Sequence, residues 1–208
     1  MTTHTTDGLL HAGPPVEKAR STVILLHGRG SSPDDMIGLA DHLGRNDIAY
    51  LAPAATHHTW YPERFLAPLA ANEPWMSGAL AVVEQLVKNL TTQGVAPDKI
   101  ALAGFSQGAC LALEALVAHP RRYRFVAGLS GALIGPLDRP RSAVPLEGVP
   151  VLLGCAEQDA HIPNAYVDHS EKLLAQYGAK VTRQRYPGSA HTVFPDEIAW
   201  IQKHLPVG

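Results

Sequence analysis

Short apolar runs recur along the chain, separated by longer stretches in which apolar positions repeat with a helical period. Runs rich in β-branched and aliphatic residues are typical of strands that are buried on both faces of a parallel sheet. On this pattern, strands are predicted at residues 21–26, 48–52, 100–103, 125–129, 149–154 and 180–186. A weaker signal predicts an edge strand around residues 8–11.

Helix signals fill the stretches between these runs. The sequence Ser-Pro-Asp-Asp at 32–35 supplies an N-cap, a proline at the first helical position and acids in the first turn, so a helix should run to about residue 44. A second helix is predicted from 72–74 to about residue 94. A third begins at residue 107 and places Leu111, Ala115 and Ala118 on one apolar face. The last two are predicted at 163–177 and 193–205.

The alternation of strands and helices predicts an α/β fold with a mostly parallel central sheet, helices on both faces and right-handed crossovers. With 208 residues, 46% of them hydrophobic, the chain can bury one sizeable core. We therefore predict a single domain over residues 1–208, in which residues 1–20 form a loose N-terminal segment. In such sheets the reactive loops collect at the carboxyl ends of the strands, so functional residues should follow strands.

One pentapeptide, Gly-Phe-Ser-Gln-Gly at residues 104–108, lies between a predicted strand and a predicted helix. A serine raised on a sharp strand-to-helix turn needs small neighbours, because the two backbones pass very close to each other there. Gly104 and Gly108 meet this requirement, and the start of the helix directs backbone N–H groups outward. The pattern alone is common, but its position makes Ser106 a candidate nucleophile.

A serine hydroxyl is a weak nucleophile at neutral pH, so this hypothesis requires a histidine base and an acid that orients it. Asp159 and His191 each follow a predicted strand by about five residues. With Ser106 they give the chain order Ser, Asp, His, which is that of α/β-hydrolases. Glu157 and His161 lie on the same loop as Asp159 and are the substitutes that remain open.

Acyl transfer also requires donors for the negative oxygen of the tetrahedral intermediate, and two backbone N–H groups usually supply them. The N–H of Gln107, next to the nucleophile, is predicted to be one donor. The other should come from His-Gly-Arg-Gly at residues 27–30, the exit of the strand at 21–26, where we choose the N–H of Arg29. His27 is also compatible with a buried side chain bonded to the backbone of a tight turn.

Four segments carry a resemblance to a known family: residues 26–30, residues 104–108, Gly154 with Asp159 and Pro163, and Ala190 with His191. From about residue 21 to its end, the chain resembles the phospholipase/carboxylesterase family of α/β-hydrolases, which includes bacterial carboxylesterases and acyl-protein thioesterases. The resemblance implies a small serine hydrolase of carboxylic esters or thioesters, without metal or cofactor. It places the nucleophile on Ser106, the acid on Asp159 and the base on His191. It also implies oxyanion donors at residues 29 and 107.

The substrate walls are expected to come from the long, proline-rich segment at residues 54–76. Trp60, Tyr61 and Phe65 are predicted to line an apolar slot, although such residues also serve simply to pack a loop against the core. The family often has an apolar residue at position 29, and the Arg29 guanidinium is either a ligand for an anionic substrate group or a solvated side chain. Only about twenty residues separate the strands at 125–129 and 149–154, so no helical lid domain is expected.

Charge and composition exclude several partners. A net charge of −2 offers no basic surface for nucleic acid or anionic membranes, and no apolar run approaches the roughly 20 residues of a membrane span. Cys110 and Cys155 fall in apolar elements and are expected to be reduced packing residues of a cytoplasmic protein. His57 and His58 lack a neighbouring acid or cysteine, so no metal site is predicted. A monomer or a homodimer is expected.

These features together predict a serine carboxylesterase that hydrolyses small to medium carboxylic esters through an acyl-enzyme. An acyl-thioesterase or a lysophospholipase would use the same chemistry and stays an open alternative. A non-catalytic ligand-binding protein on the same scaffold is the alternative from another class, because a fold does not fix a function.

Overall fold

The computed structural model describes residues 3–206, and a seven-stranded sheet runs through it. The strands are β1 (Leu10–Ala12), β2 (Ser21–Leu26), β3 (Ile48–Ala52), β4 (Ile100–Phe105), β5 (Val126–Leu129), β6 (Pro150–Ala156) and β7 (Lys180–Tyr186). Their order is β1-β3-β2-β4-β5-β6-β7, and only the β1–β3 pair in it is antiparallel. The prediction of a mostly parallel α/β fold is confirmed.

Helices cover the sheet on both sides. They are α1 (Pro33–Leu43), α2 (Trp75–Thr92), α3 (Gln107–Ala118), α4 (Asn164–Gln176) and α5 (Pro195–His204). Successive residues of β2 point to opposite faces, Val23 and Leu25 towards α1 and α5, Ile24 and Leu26 towards α2 and α3. Burial on both faces explains why the central strands are continuous apolar runs in the sequence.

The register of the sheet aligns the carboxyl ends of the central strands. Leu26 of β2 lies opposite Gly104 of β4, and Leu129 of β5 lies opposite both Phe105 of β4 and Gly154 of β6. Because these strands are parallel, the loops that follow them meet at one edge of the sheet. Residues far apart in sequence are brought together there.

Some elements differ from their prediction. Helix α3 is buried on nearly all sides, because it lies between the sheet and α2, whereas Ala118 at its end is exposed. Helix α5 begins at Pro195, since the preceding Phe194 has an extended backbone. The edge strand lies at Leu10–Ala12, within the segment predicted to be loose, where His4 is also buried. Residues 1 and 2 of that segment lie outside the described residues.

Two connections matter for the site. The segment between β3 and α2 contains short 3₁₀ turns at Thr56–His58 and Leu69–Asn72, so it is more ordered than its proline-rich sequence suggests. The connection from β5 to β6, which is described throughout, forms no helix over residues 130–149.

Candidate active site

Ser106 lies on the turn between β4 and α3. Its backbone has φ 54° and ψ −115°, which is a strained conformation for a residue with a side chain. The neighbouring glycines make this turn possible: a Cβ on Gly104 would overlap the carbonyl of Gly108, and a Cβ on Gly108 would overlap that of Leu26. The pentapeptide therefore raises the serine at the first turn of α3, above the edge of the sheet.

His191 lies on the loop after β7 and contacts Ser106. Its Nε2 atom is 2.8 Å from Ser106 Oγ, and its Nδ1 atom is 2.7 Å from Asp159 Oδ2. With Nδ1–H donating to the carboxylate, Nε2 is left to accept the proton of the hydroxyl group. The structure thus brings the three residues singled out in the sequence into one hydrogen-bonded chain.

Asp159 is oriented by the loop on which it lies. It is 6% exposed, and its Oδ1 atom accepts hydrogen bonds from the backbone N–H groups of His161, at 2.8 Å, and Ile162, at 3.0 Å. Burial raises the pKa of Asp159, but the hydrogen bonds from His191 and from these two N–H groups outweigh burial and hold the pKa below its usual value. The carboxylate is therefore charged at neutral pH and directed at the imidazole.

The substitutes named for the acid and the base are placed differently. Glu157 is exposed, and Nδ1 of His191 is bonded to Asp159. His161 is exposed at the rim of the site, with its ring centroid 4.7 Å from that of His191. The geometry favours Asp159 and His191 over both substitutes.

A buried glutamate, which the sequence analysis did not single out, anchors the loop that carries His191. Glu197 Oε2 accepts a hydrogen bond of 2.8 Å from the N–H of Phe194, while Oε1 has no partner among the described residues. Burial raises the pKa of Glu197 to about 8, so this carboxyl group is mostly protonated at neutral pH. Phe194 also stacks on Tyr186, at a centroid distance of 3.7 Å. The segment after His191 is thereby fixed to β7 and α5.

The turn after β2 approaches Ser106 closely. A Cβ on Gly28 would lie 3.4 Å from Ser106 Cβ and 3.3 Å from a ring carbon of Phe105, which shows how little space separates the two turns. Arg29 and Gln107 both line the cleft beside Ser106. Within residues 3–206, neither of their backbone N–H groups donates to a protein acceptor. Both are therefore available to a substrate oxygen.

The buried side chain of His27 fixes the turn after β2 through hydrogen bonds to the backbone. Its Nδ1 atom lies 2.8 Å from the carbonyl of Gly28, and its Nε2 atom accepts the N–H of Ala55 at 3.0 Å. Burial lowers its pKa, so the imidazole is neutral, as an accepting Nε2 requires. This matches the buried, backbone-bonded side chain that the sequence suggested.

One wall of the site, which we call the wall segment, consists of residues 60–65. The side chain of Gln107 accepts the N–H of Trp60 at 2.9 Å and donates to the carbonyl of Tyr61 at 2.8 Å. The Arg29 guanidinium donates to the carbonyls of Tyr61, Pro62 and Glu63 at 2.6–3.0 Å. Arg29 is exposed, but its guanidinium is held against these three carbonyls and thereby fixes the wall segment.

A cleft of about 400 Å³ opens over Ser106. Tyr61 and Phe65 line it, as predicted. Trp60 does not, and its prediction as a pocket residue was wrong. Its indole is fully buried, with the ring 5.1 Å from that of His27 and Nε1 donating to the His27 carbonyl at 2.9 Å. This hydrogen bond turns Trp60 inward and leaves the cleft to its neighbour.

Several residues that line the cleft were missed as site residues, among them Ile162, Cys110 and Arg64. Ile162 follows Asp159 by three positions, and Cys110 lies one helical turn after Ser106, so proximity in sequence could have indicated both. Arg64 also lines the cleft and carries no such signal. Burial raises the pKa of the Cys110 thiol to about 12, which keeps it neutral.

No cluster of three or more histidine, cysteine, aspartate or glutamate side chains that could hold a metal ion occurs among residues 3–206. His57 and His58 are exposed, and Nδ1 of His58 lies 2.9 Å from the carbonyl of Ser31. Cys110 and Cys155 are both unbridged and buried. In the described part of the chain, the helices are too short or too polar to cross a membrane.

Comparison with known proteins agrees with this geometry. The sequence pattern of the phospholipase/carboxylesterase family matches residues 12–207. The chain is 28% identical to acyl-protein thioesterase 1 of Saccharomyces cerevisiae, over 94% of this chain and 98% of that protein. It is similar to the crystal structure of a phospholipase/carboxylesterase from Dyadobacter fermentans, with a TM-score of 0.92, 35% identity and coverage of 99% and 98% of the two chains. It is also similar to the crystal structure of esterase PE8, with a TM-score of 0.77, 26% identity and coverage of 94% of this chain and 96% of that chain. The chain therefore belongs to the phospholipase/carboxylesterase family of α/β-hydrolases and is a hydrolase of ester bonds.

Proposed function

We propose that Ser106, His191 and Asp159 form a catalytic triad that hydrolyses small to medium carboxylic esters through an acyl-enzyme. The observation that carries this proposal is the pair of hydrogen bonds at 2.8 and 2.7 Å that joins the serine hydroxyl to the imidazole and the imidazole to a charged carboxylate. A hydroxyl group in this position can lose its proton as it attacks, which is what a serine nucleophile requires.

In the first step, Ser106 Oγ attacks the acyl carbon while its proton passes to His191 Nε2. The carbonyl oxygen becomes an oxyanion, which accepts hydrogen bonds from the N–H groups of Arg29 and Gln107; one donor of this type contributes about 2.7–4 kcal/mol to lowering the barrier. The intermediate then collapses, the bond to the leaving oxygen or sulfur breaks, and His191 returns the proton to that atom.

In the second step, water replaces the serine hydroxyl as nucleophile. His191 takes one proton from the water as its oxygen attacks the acyl carbon of the ester on Ser106. Collapse of this second intermediate releases the carboxylic acid, and the proton returns to Ser106 Oγ. Throughout the cycle Asp159 stabilises the imidazolium and holds its ring in place.

Replacement of the nucleophile tests this function. In Ser106→Ala we expect kcat for p-nitrophenyl esters to fall by about 10⁶, because the attacking group is gone. Ser142→Ala, which removes an exposed hydroxyl on the β5–β6 connection, is the matched control and should keep the parent's rate. If Ser106→Ala retained activity close to the parent's, the proposed triad would be wrong. No ester hydrolysis in the parent would favour the ligand-binding alternative.

Acyl-thioester hydrolysis is the second candidate, and the similarity to the yeast protein named acyl-protein thioesterase 1 favours it. The triad chemistry is the same for oxygen esters and thioesters, so the discrimination must come from the leaving group. Measuring kcat/KM for an oxygen ester and a thioester with the same acyl group separates the two. A thioester preference of tenfold or more, beyond their intrinsic difference, would make thioesters the substrate class.

A further inference from the structure

A second groove, of about 710 Å³, lies on the other side of Phe105 from the cleft. Helices α1 and α5, which contact each other, form its two sides. Its apolar lining includes Met36, Leu39, Phe105, Val193, Phe194 and Ile198.

The groove adjoins the proposed catalytic centre. Ser31 and Phe105 line both the groove and the cleft. The ring of Phe105 also contacts the imidazole of His191, at a centroid distance of 5.0 Å. Val193 and Phe194, in the groove, follow His191 by two and three residues. A molecule bound at Ser106 can therefore extend into the groove past the imidazole.

The two spaces lie on opposite faces of the sheet. The cleft reaches Cys110 of α3 and Phe65, on the face that α2, α3 and α4 cover, whereas the groove lies on the face of α1 and α5. Ser106 stands at the edge between them. The acyl group and the leaving group of an ester extend from the acyl carbon in different directions, and the protein offers one space for each.

We infer that the groove between α1 and α5 binds the leaving group, and that this group is an alkyl alcohol or thiol without negative charge. This inference rests on the proposed function. The acyl group must stay in place for both steps, and we assign it to the cleft, which reaches inward to the buried side chains of Tyr61 and Cys110. The leaving group departs after the first step, receives its proton from His191, and can leave through the more open groove.

The charges of the groove select against anions. Asp34 and Asp35 line one rim, His42 is the one other titratable residue in the lining, and no lysine or arginine of the described residues lines the groove. Hydrogen bonds from Ser31 and Ser32 lower the pKa of Asp35, so it stays charged at neutral pH. A carboxylate or phosphate on the leaving group would meet these acids in an apolar channel, which is unfavourable. A neutral alkyl chain has no charge for these acids to repel and can pack against the apolar lining.

Gly38 provides a way to fill the groove without disturbing the fold. It lies within α1, lines the groove, and a Cβ placed on it would have no atom within 4 Å. Replacement by leucine adds an apolar side chain in open space, and it removes a glycine from a helix interior. Ala199→Leu adds a similar volume at an exposed position of α5 outside the groove and is the matched control.

The experiment varies the leaving alcohol from ethanol to hexanol while the acyl group is constant, because these alcohols have nearly the same intrinsic leaving ability. For the parent and Ala199→Leu we expect kcat/KM to be about tenfold higher for the hexyl than for the ethyl ester. The upper limit of this gain is about fourfold for each methylene group that becomes fully buried. In Gly38→Leu this ratio should fall by about fivefold or more. The decay rate of the acyl-enzyme should be the same in all three proteins, since the leaving group has then departed.

Three outcomes would overturn the inference: a hexyl-to-ethyl ratio near one in the parent, a Gly38→Leu variant that changes the dependence on acyl length instead, or a dimeric parent that becomes monomeric in Gly38→Leu. The last result would mean that a second copy of the chain covers the groove. Failure of the proposed function looks different, because then no ester in the series would acylate Ser106.

Discussion

The two parts of the site are held in place in different ways. Ser106, Asp159 and His191 lie on loops that follow β4, β6 and β7, and the register of the sheet determines where those loops begin. The wall segment, residues 60–65, belongs instead to the long connection between β3 and α2. Its position depends on hydrogen bonds to Gln107 and Arg29, which are distant in sequence.

This difference shows which part of the site can vary. The positions of the three loop residues follow from the topology of the fold, so changes among them should alter chemistry more than stability. The wall segment is held by a few polar side chains together with the burial of Trp60, Tyr61 and Phe65, so changes there should alter stability and substrate binding first. Substitutions in the two parts of the site should therefore have different effects.

Among variants that keep the serine nucleophile, the largest effect is expected at the acid. In Asp159→Asn, the amide cannot stabilise the imidazolium and favours the wrong tautomer of His191, so kcat should fall by about 10⁴ while the protein stays folded. Steady-state kinetics with a p-nitrophenyl ester measures the fall, and Asp138→Asn, at an exposed position, is the control. A decrease smaller than about tenfold would show that another group orients the imidazole.

On the wall segment, Gln107→Leu should mainly reduce stability. The change leaves the buried N–H of Trp60 without a partner, and such an unsatisfied group costs about 1–3 kcal/mol. It also removes one of the two hydrogen bonds to the carbonyl of Tyr61, which keeps the one from Arg29; a lost hydrogen bond costs about 0.5–1.5 kcal/mol. We expect the free energy of unfolding in urea to fall by about 2–4 kcal/mol. Arg29→Leu removes hydrogen bonds made at an exposed position and should cost about 1 kcal/mol or less. Equal losses in the two variants would contradict this account of the wall.

The anchor of the His191 loop predicts a dependence of stability on pH. The folded-state pKa of Glu197 is about 8, against 4.5 for an ordinary glutamate. At a pH between these two pKa values, the glutamate has lost its proton in the unfolded chain but keeps it in the folded protein. The free energy of unfolding therefore falls as pH rises, by up to about 1.4 kcal/mol per pH unit. Glu197→Gln should lack this slope.

Urea unfolding at pH 5.5, 6.5 and 7.5 measures the slope in the parent and in Glu197→Gln. The variant should gain stability relative to the parent as pH rises through this window. Glu157→Gln removes an exposed carboxyl group, leaves Glu197 intact, and should keep the parent's slope. Parallel curves for the parent and Glu197→Gln would mean that the buried carboxyl group is ionised in the folded protein.

The sequence predicts those parts of the structure that a local pattern determines. The bounds of β2, β3 and β7 match the predicted runs, because strands buried on both faces or ended by turn residues leave a clear signal. Ser106 could be located because two glycines mark its turn. The orientation of Trp60 could not be predicted from the sequence, because it depends on a hydrogen bond to the carbonyl of His27, which is 33 residues away. A pattern of apolar residues indicates burial but does not name the partner of a polar atom.

The central claim, that His191 activates Ser106, is tested most directly by labelling with a fluorophosphonate probe. Mass spectrometry of the parent should show one probe per chain, attached to Ser106, and none should attach to Ser106→Ala. In His191→Ala the labelling rate should fall by about 10³ or more, since no base is left to take the hydroxyl proton. Attachment at another residue, or an unchanged labelling rate in His191→Ala, would contradict the account.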